Sequence, residues 1–426
     1  MTIFNLHCNF KIMRLLNIFL IIMSTGFFLM FNSCEDEKNE FTVPELDIMF
    51  PSNGAWVEGS FNVAVLVSST VRLSEIELIV NDQLTAMSSV SDTSRILWDT
   101  RDFSDGSFSP MEFTLYARAR LSNVQVFYSD TVNVTALFPR QLTFNPSVDI
   151  QPQWNNEGSS IIFKSNREMA DSLYQVYSVT PDGEAPVLIA TERIYHGYPG
   201  WSPDGEHVVF NSYDIETDQW WGDMNIFTAN ISTGETHQVT VDSLFDDSGR
   251  WSPDGNWISF HSTRSGNKDV WKIPVTSDGI VQGDPVRMTF GSGDEECARW
   301  SQDGDWLAFE YTHHGGLDYG DGFGNIGMIS VEGGEVISLT DDNFNNGYPN
   351  WSPDGQLIVY NSKRFGEKDI FIRSLDGGYQ KRITMSTGVD EHASWSSDGN
   401  YIAFASDRSE NKDIWIVEIP DTMSLE

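Results

Sequence analysis

The chain has 426 residues and a formal net charge of −36, because 62 Asp and Glu residues outnumber 26 Lys and Arg residues. Such an excess of carboxylates repels nucleic acid and anionic membrane surfaces, so we expect no nucleic-acid partner and favour a cation or a basic protein face. The length allows two or three domains. Aromatic residues make up 13% of the chain and glycine occurs 34 times, a composition typical of strands joined by tight turns.

The first 33 residues have the pattern of a signal peptide. Lys11 and Arg14 precede an apolar run at 15–31, and Ser33 stands immediately before Cys34. This resembles a bacterial lipoprotein signal, which implies cleavage before Cys34 and a membrane anchor through lipid on that residue. An uncleaved anchor helix is the alternative, since about 17 apolar residues approach the length that spans a bilayer. Either Met1 or Met13 could be the true start.

Residues 34–41 form an acidic tether after the predicted lipid anchor. The tract at 35–40, EDEKNE, resembles the acidic tract of surface-exported lipoproteins of Bacteroidetes. We therefore predict a protein anchored by lipid to the outer membrane, on its cell-surface or periplasmic face. Of the three cysteines, Cys8 and Cys34 belong to the signal, so Cys297 has no partner for an intrachain disulfide and is expected to be a packing residue.

Residues 42–136 contain short runs in which apolar and polar residues alternate. Examples are Phe61, Val63, Val65 and Val67, separated from the next run by polar and glycine-containing breaks. Period-two alternation of this kind indicates antiparallel strands with one buried face. The segment is predicted to be an immunoglobulin-like β-sandwich without the cysteine pair of antibody domains, acting as a stalk or docking module.

Residues 137–420 contain a repeat built around six tryptophans. They are Trp154, Trp201, Trp251, Trp300, Trp351 and Trp395. Their spacing, about 44 to 51 residues, is typical of four-stranded propeller blades. Each tryptophan ends a short strand, and a turn such as Ser352-Pro-Asp-Gly355 reverses the chain into the next strand.

The last repeat ends near residue 420 without a fourth strand, and residues 421–426 are left as a tail. The missing strand is predicted at 140–144, which precedes the first repeat and should pair with the strand at 413–417. The predicted fold is therefore an all-β chain, in which the sandwich precedes a six-bladed β-propeller closed by its own N-terminal strand. We expect a monomeric propeller, because closure leaves no free sheet edge.

The repeat pattern P-x-W-S-P-D-G-x-x-I-x-F-x-S-x-R, followed by D-I-F/W and L-T, is similar to the TolB-type, WD40-like propeller repeat of bacterial envelope proteins. The resemblance covers residues 140–420. It departs from the pattern at 155–158, at Gln302 and at Ser397. The resemblance implies partners among envelope or secretion proteins, although one fold supports many functions.

Two sets of residues are candidate binding positions. The first set stands five residues before each tryptophan and is expected to converge on the mouth of the central channel: Asp149, His196, Asp246, Glu295, Asn346 and Asp390. Four of the six are acidic, so the ring is a candidate site for Ca²⁺ or for basic side chains of a peptide. A hydrated acidic funnel without a dedicated ligand is the alternative.

The second set lies in two long insertions of the repeat. Its members are Tyr213, Trp220, Trp221, His313, His314, Tyr319 and Phe323. Aromatic residues in such loops anchor protein partners or stack on sugar rings. The adjacent histidines could also chelate a metal, although the sequence supplies no third ligand at a known spacing.

We therefore predict a non-enzymatic envelope lipoprotein whose propeller loops bind a protein or peptide, with no cofactor other than the candidate Ca²⁺. Binding of a surface glycan is the first alternative. A metal-dependent polysaccharide lyase or hydrolase is the second, because some polysaccharide lyases resemble this repeat family. Against it, the histidines form no obvious set and no G-x-S-x-G motif occurs.

Overall fold

The fold is described from a computed structural model, which covers residues 44–69, 73–104, 106–121, 125–167, 174–189, 197–213, 224–241, 244–312 and 324–420. No helix in these ranges is long and apolar enough to cross a membrane. The predicted signal peptide, Cys34 and the acidic tether lie outside the described residues, so lipidation stays a prediction.

Nine strands and one short 3-10 turn precede the repeats. The strands are β1 (Glu45–Phe50), β2 (Ala55–Glu58), β3 (Ser60–Ser68), β4 (Ile76–Val80), β5 (Gln83–Ser88), β6 (Thr93–Asp99), β7 (Met111–Leu121), β8 (Gln125–Tyr128) and β9 (Val132–Leu137), and the turn spans Thr100–Phe103 between β6 and β7. The order β1-β3-β6 forms one sheet, and β2-β9-β7-β4-β5 forms the other, in which β8 also pairs with β7.

These two sheets enclose one hydrophobic core. The alternating residues Phe61, Val63 and Val65 point into it, and the indole of Trp98 is almost completely buried there. The segment is thus a β-sandwich, as the alternation predicts. Its closer assignment as immunoglobulin-like stays a prediction.

Six four-stranded sheets follow in the repeat region. After β10 (Arg140–Gln141), the first three contain β11 (Asp149–Trp154), β12 (Ile161–Ser165), β13 (Gln175–Val179) and β14 (Val187–Leu188); β15 (Gly197–Trp201), β16 (His207–Tyr213), β17 (Met224–Asn230) and β18 (Thr236–Gln238); and β19 (Asp246–Trp251), β20 (Trp257–Ser262), β21 (Asp269–Pro274) and β22 (Val286–Arg287).

The remaining three sheets repeat the same order. They contain β23 (Glu295–Trp300), β24 (Trp306–Thr312), β25 (Gly324–Ser330) and β26 (Ile337–Ser338); β27 (Asn346–Trp351), β28 (Leu357–Phe365), β29 (Glu367–Ser374) and β30 (Gln380–Arg382); and β31 (Asp390–Trp395), β32 (Tyr401–Ser406) and β33 (Asp413–Glu418), to which β10 adds the fourth strand.

The closing strand lies where the sequence predicts it. Arg140 is opposite Ile416 and Gln141 is opposite Trp415 in the antiparallel pairing of β10 with β33. Thr143 extends the contact, because its hydroxyl donates to Asp413 at 3.1 Å and accepts the amide N–H of Ile414 at 3.0 Å. The last sheet is therefore assembled from both ends of the repeat region.

Neighbouring sheets pack face to face through shared hydrophobic clusters. One cluster joins each sheet to the next, and a further cluster, which includes Ile161 and Ile414, joins the first sheet to the last. Each second strand supplies one fully buried aromatic ring to this packing: Phe163, Phe210, Phe260, Phe309, Tyr360 and Phe404. The sheets therefore form a closed ring around a central channel.

The Ser-Pro-Asp-Gly turns connect the first two strands of a blade. In the fifth sheet the hydroxyl of Ser352 donates to Asp354 at 2.5 Å and accepts the amide N–H of Leu357 at 2.9 Å, while Gly355 adopts a left-handed φ of 71°. Trp351 is buried, and its indole N–H donates to the carbonyl of Arg299 in the preceding sheet at 3.0 Å. Trp351 and Asp354 are therefore framework residues.

We call the side of the ring that carries these turns the turn face. The opposite side, where the fourth strand of one sheet continues into the first strand of the next, is called the loop face.

The sandwich packs against the last two sheets of the ring, and both belong to one compact unit, Val43–Glu426. Trp56 and Leu137 join the hydrophobic cluster between the fifth and sixth sheets. Glu58 forms an ion pair with Arg408 and accepts the amide N–H of Met385 at 2.9 Å. The sandwich is thus fixed to the ring by apolar packing and by a buried ion pair.

Candidate binding site in the central channel

The third residue before each tryptophan has a left-handed backbone. These residues are Gln151, Tyr198, Ser248, Cys297, Tyr348 and His392, with φ between 46° and 61°. In every first strand the pairing register shifts at this point, as in a β-bulge. A non-glycine residue in this conformation costs about 1–3 kcal/mol and persists only where the surrounding structure imposes it.

Three of these side chains, those of Tyr198, Tyr348 and His392, are linked by contacts inside the ring. Tyr198 and Tyr348 stand on the second and fifth sheets, on opposite sides of the channel. Their hydroxyl oxygens are 3.1 Å apart and their rings are nearly parallel at 9°. The ring of His392 packs edge-on against Tyr348 with centroids 4.2 Å apart. The two tyrosines therefore form a layer, here called the tyrosine layer, that spans the channel.

Burial keeps these rings neutral. It raises the pKa of Tyr198 and of Tyr348 well above the ordinary value of 10, and the neighbouring phenol adds to the effect at Tyr198. It also lowers the pKa of His392 to about 3, although Glu391 acts in the opposite direction. One phenol hydroxyl consequently donates to the other, and the layer carries no charge at neutral pH.

Paired charges line the channel on the loop-face side of this layer. Lys268 bonds to Glu296 at 2.9 Å, and Lys368 bonds to Glu391 at 2.9 Å. Lys412 forms a second ion pair with Glu391. Positive and negative side chains are therefore paired at the loop-face end of the channel.

Three further groups near this end have shifted pKa values. Burial raises the pKa of Asp247 to about 7, opposed by the amide N–H of Ser248 and by Lys164. It likewise raises the pKa of Glu310 to about 7. Burial lowers the pKa of Lys164 to about 8, although Asp247 and Glu391 favour its charged form. Burial thus shifts the pKa values of the two acids and of the lysine toward neutral pH.

The structure buries the described members of the predicted channel-mouth ring within their own sheets. Asp149, Asp246 and Asp390 are fully buried at the starts of their strands, and each pairs with an arginine of its own sheet: Arg167 at 2.6 Å, Arg264 at 2.8 Å and Arg408 at 2.9 Å.

The other described members of that ring are buried as well. The side-chain amide of Asn346 donates to Asp342 at 2.6 Å. Burial, reinforced by Asp269, raises the pKa of Glu295 to about 8. His196 lies outside the described residues. Because each strand bulges one to two positions later, the following acidic residues, Asp247, Glu296 and Glu391, lie by the channel lysines instead.

The predicted loop-face residues cannot be placed in the same way. Tyr213 ends β16, and Trp220, Trp221, His313, His314, Tyr319 and Phe323 lie outside the described residues. No group of three or more His, Cys, Asp or Glu side chains suited to a metal occurs in the described part of the chain. The binding roles of these loops and a Ca²⁺ site stay predictions.

A cavity of about 350 Å³ opens at the turn face. The six tryptophans that end the first strands line it, together with Arg250 and Arg299. Sequence reasoning missed these two arginines. The signal was present, since only the third and fourth repeats have arginine immediately before the tryptophan, where the others have Gln153, Gly200, Asn350 or Ser394.

A closed ring of four-stranded antiparallel sheets around a channel defines the chain as a β-propeller protein. The family model "TolB beta propeller domain" matches residues 188–320 and 317–424, which together exceed half of the chain. The chain therefore belongs to the TolB β-propeller family.

Individual relatives match only parts of the chain. It is similar to "Dipeptidyl-peptidase 5" of Porphyromonas gingivalis, with 29% identity over 30% of this chain and 20% of that protein. It is also similar to "Tol-Pal system protein TolB" of Alcanivorax borkumensis, with 25% identity over 25% of this chain and 24% of that protein. The chain thus spans a quarter or less of the length of these two relatives.

Structural similarity covers more of the chain than the sequence similarity to these two relatives does. The crystal structure of TolB from Acinetobacter baumannii superposes with a TM-score of 0.50 and 20% identity, covering 67% of this chain and 62% of that one. At this identity the likeness supports the fold alone.

Proposed function

We propose that this chain is a non-enzymatic protein of the cell envelope whose propeller binds a protein or peptide partner at the loop face. The observation that carries the proposal is the form of the channel. The tyrosine layer closes the channel. Lysine–glutamate ion pairs at its loop-face end supply both positive and negative groups. A closed funnel with both charges suits an inserted peptide segment, whose own charged side chains can exchange partners with these pairs.

The ion pairs remain accessible to such a segment. The side chains of Lys268 and Glu296 are 24% and 27% exposed to solvent, and that of Lys412 is 29% exposed. Partly exposed pairs are held weakly, so replacing one partner by a ligand group costs little. Similarity to "Tol-Pal system protein TolB" supports a partner in the envelope.

The experiment compares charge reversal inside and outside the funnel. The full-length chain in detergent is cross-linked to envelope extract, and the captured proteins are quantified. We expect Glu296→Lys to reduce capture of a specific partner about tenfold or more, because like charges then face each other at the contact. Glu332→Lys makes the same change of charge at an exposed turn outside the funnel and should leave capture unchanged.

Two controls keep the outcome unambiguous. Both variants must unfold at the same temperature as the unmodified protein within a few degrees. A glycan panel tested in parallel distinguishes the sugar-binding alternative. Equal capture by both variants would contradict a binding site in the funnel.

We also propose that the chain is anchored to the outer membrane by lipid on Cys34. The sequence pattern at 11–34 supports this proposal. Metabolic labelling with a fatty acid should mark the unmodified protein and not Cys34→Ala. Label in both proteins, or in neither, would contradict it.

A further inference from the structure

The turn-face cavity has a composition unlike the rest of this acidic protein. It contains two arginines, several amide side chains and six indole rings, and no Asp or Glu occurs among the described residues that line it. The whole chain, in contrast, has more than two acidic residues for each basic one. The side chains that line the cavity therefore supply positive charge and no carboxylate.

Arg250 and Arg299 have no carboxylate partner among the described residues, whereas six other arginines of the ring each pair with one. Arg250 is 7% exposed, and its Nη1 donates only to the backbone carbonyls of Tyr198 at 2.7 Å and Gly249 at 2.6 Å. Nη1 of Arg299 donates to the carbonyl of Ala298 at 3.1 Å. In both residues the buried Nε has no hydrogen-bond partner.

The arrangement disfavours the charged forms of both residues. Burial lowers the pKa of Arg250, and the like charge of Arg299 lowers it further. Burial likewise lowers the pKa of Arg299. Like charges repel each other more strongly where burial reduces screening by solvent. An anion placed between the two guanidinium groups would relieve both effects.

The backbone also leaves room for one of these side chains. Gly200 occupies in the second sheet the position that Arg250 has in the third. A Cβ atom added to Gly200 would lie 3.2 Å from Cδ of Arg250 and 3.1 Å from Val209. The absence of a side chain at position 200 thus lets Arg250 lie against the neighbouring strand at the cavity wall.

We propose that the turn-face cavity binds a small organic anion whose carboxylate is held by Arg250 and Arg299. Planar guanidinium groups match a carboxylate with two parallel hydrogen bonds, and charge-assisted bonds of this kind are stronger than neutral ones. The indole rings provide apolar surface for the body of the ligand, and the amides of Gln153 and Asn350 can bond to its polar groups.

This site is separate from the proposed partner site. The tyrosine layer lies between the turn-face cavity and the charged loop-face end of the channel. Binding of an anion at the turn face therefore does not depend on a partner at the loop face, and either proposal can fail alone.

The first test is titration of the full-length chain in detergent, followed by intrinsic tryptophan fluorescence. Succinate serves as the carboxylate probe, succinamide as its uncharged counterpart and inorganic phosphate as a second anion. We expect a saturable change with succinate and none with succinamide. Equal responses to succinate and succinamide, or a response to phosphate alone, would overturn the proposal of an organic carboxylate ligand.

The second test uses Arg250→Gln and Arg299→Gln. Each should weaken succinate binding about tenfold or more, because a hydrogen bond to a charged group is lost. Arg373→Gln removes the same charge from the outer part of the fifth sheet and should bind succinate normally. Glutamine can still donate to the backbone carbonyls, so both cavity variants should fold.

A structural role for the arginines would give a different result. If the arginines serve only the fold, their replacement should lower the unfolding temperature and leave succinate binding unchanged, which would overturn the proposal. If they form an anion site, the unfolding temperature of the free protein should stay equal or rise, and succinate should stabilise only the unmodified protein. Gly200→Ala supplies an independent variant, since it displaces Arg250 and should weaken binding while both arginines remain.

Discussion

Arg408 is shared by two carboxylates from different parts of the chain. Its Nη2 donates to Asp390 of the last sheet at 2.9 Å, and its Nη1 contacts Glu58 of the sandwich. Arg264 holds the equivalent place in the third sheet and pairs with Asp246 of its own sheet at 2.8 Å. Comparing Arg408→Gln with Arg264→Gln therefore isolates the contribution of the sandwich contact.

The expected loss of unfolding free energy follows from the number of buried carboxylates that each substitution leaves without an arginine partner. Removing one partner of a buried ion pair costs about 3–5 kcal/mol, and both substitutions have this cost. Arg408→Gln also leaves Glu58 buried without its cation, which adds about 1–3 kcal/mol. We therefore expect the free energy of unfolding at pH 8 to fall further in Arg408→Gln than in Arg264→Gln.

The difference in unfolding free energy between Arg408→Gln and Arg264→Gln should depend on pH. Burial raises the pKa of Glu58 from 4.5, and Arg408 opposes the shift. A carboxyl with a raised pKa contributes stability in full below its unfolded pKa, and this contribution is lost as pH rises through the folded pKa. Without Arg408 the folded pKa of Glu58 rises further, so its carboxyl is more often protonated at pH 5 than at pH 8, and the extra cost should be smaller at pH 5.

The assay is unfolding by guanidinium chloride at pH 5 and pH 8, followed by tryptophan fluorescence. It compares the unmodified chain, both single variants and the double variant Arg408→Gln, Glu58→Gln. The double variant should recover the extra cost, because no unpaired carboxylate remains in the sandwich. Equal losses in the two single variants at pH 8 would refute the reasoning.

Three further outcomes are expected. Tyr348→Phe removes the hydroxyl contact with Tyr198 and should lower the unfolding free energy by about 1 kcal/mol in a thermal unfolding experiment; no change would mean that the tyrosine layer contributes nothing to stability. Thr143→Val removes the hydrogen bonds to the Asp413 carboxylate and from the amide N–H of Ile414, so amide hydrogen exchange at β10 should accelerate about tenfold. Unchanged exchange would contradict this account of ring closure. The raised pKa of Asp247, about 7, favours the folded state in full below pH 4 and progressively less up to pH 7, so Asp247→Asn should flatten the fall of unfolding temperature between pH 5 and pH 8.

The fold could be predicted from sequence because its signals are local and repeated. A tryptophan such as Trp351, the turn after it and the buried aromatic ring of the next strand recur in each copy, so each copy supports the others. The closing strand was predictable because the last repeat lacks a strand that residues 140–144 supply.

The site was harder to predict, because side-chain direction near the channel depends on a bulge that no residue type marks. Ser248 and Cys297 adopt a left-handed backbone without being glycine. This shift turns Asp246 into its sheet and places Asp247 near the channel, although the two residues are adjacent and chemically identical. The long loops fall outside the described residues, so their predicted role is unchanged.

The pairing of β10 with β33, which closes the ring, also has a mechanical consequence. Two residues of β10 pair with β33, and β10 follows the sandwich strand β9 after two residues. If the sandwich made no contact with the ring, tension applied along the chain from the sandwich would act on this pairing before it reached the other sheets. The buried contacts of Trp56, Leu137 and Glu58 lie between the sandwich and the ring, so they would bear the load first. While these contacts hold, the pairing of β10 with β33 would carry no load, and the ring would stay closed when the chain is pulled.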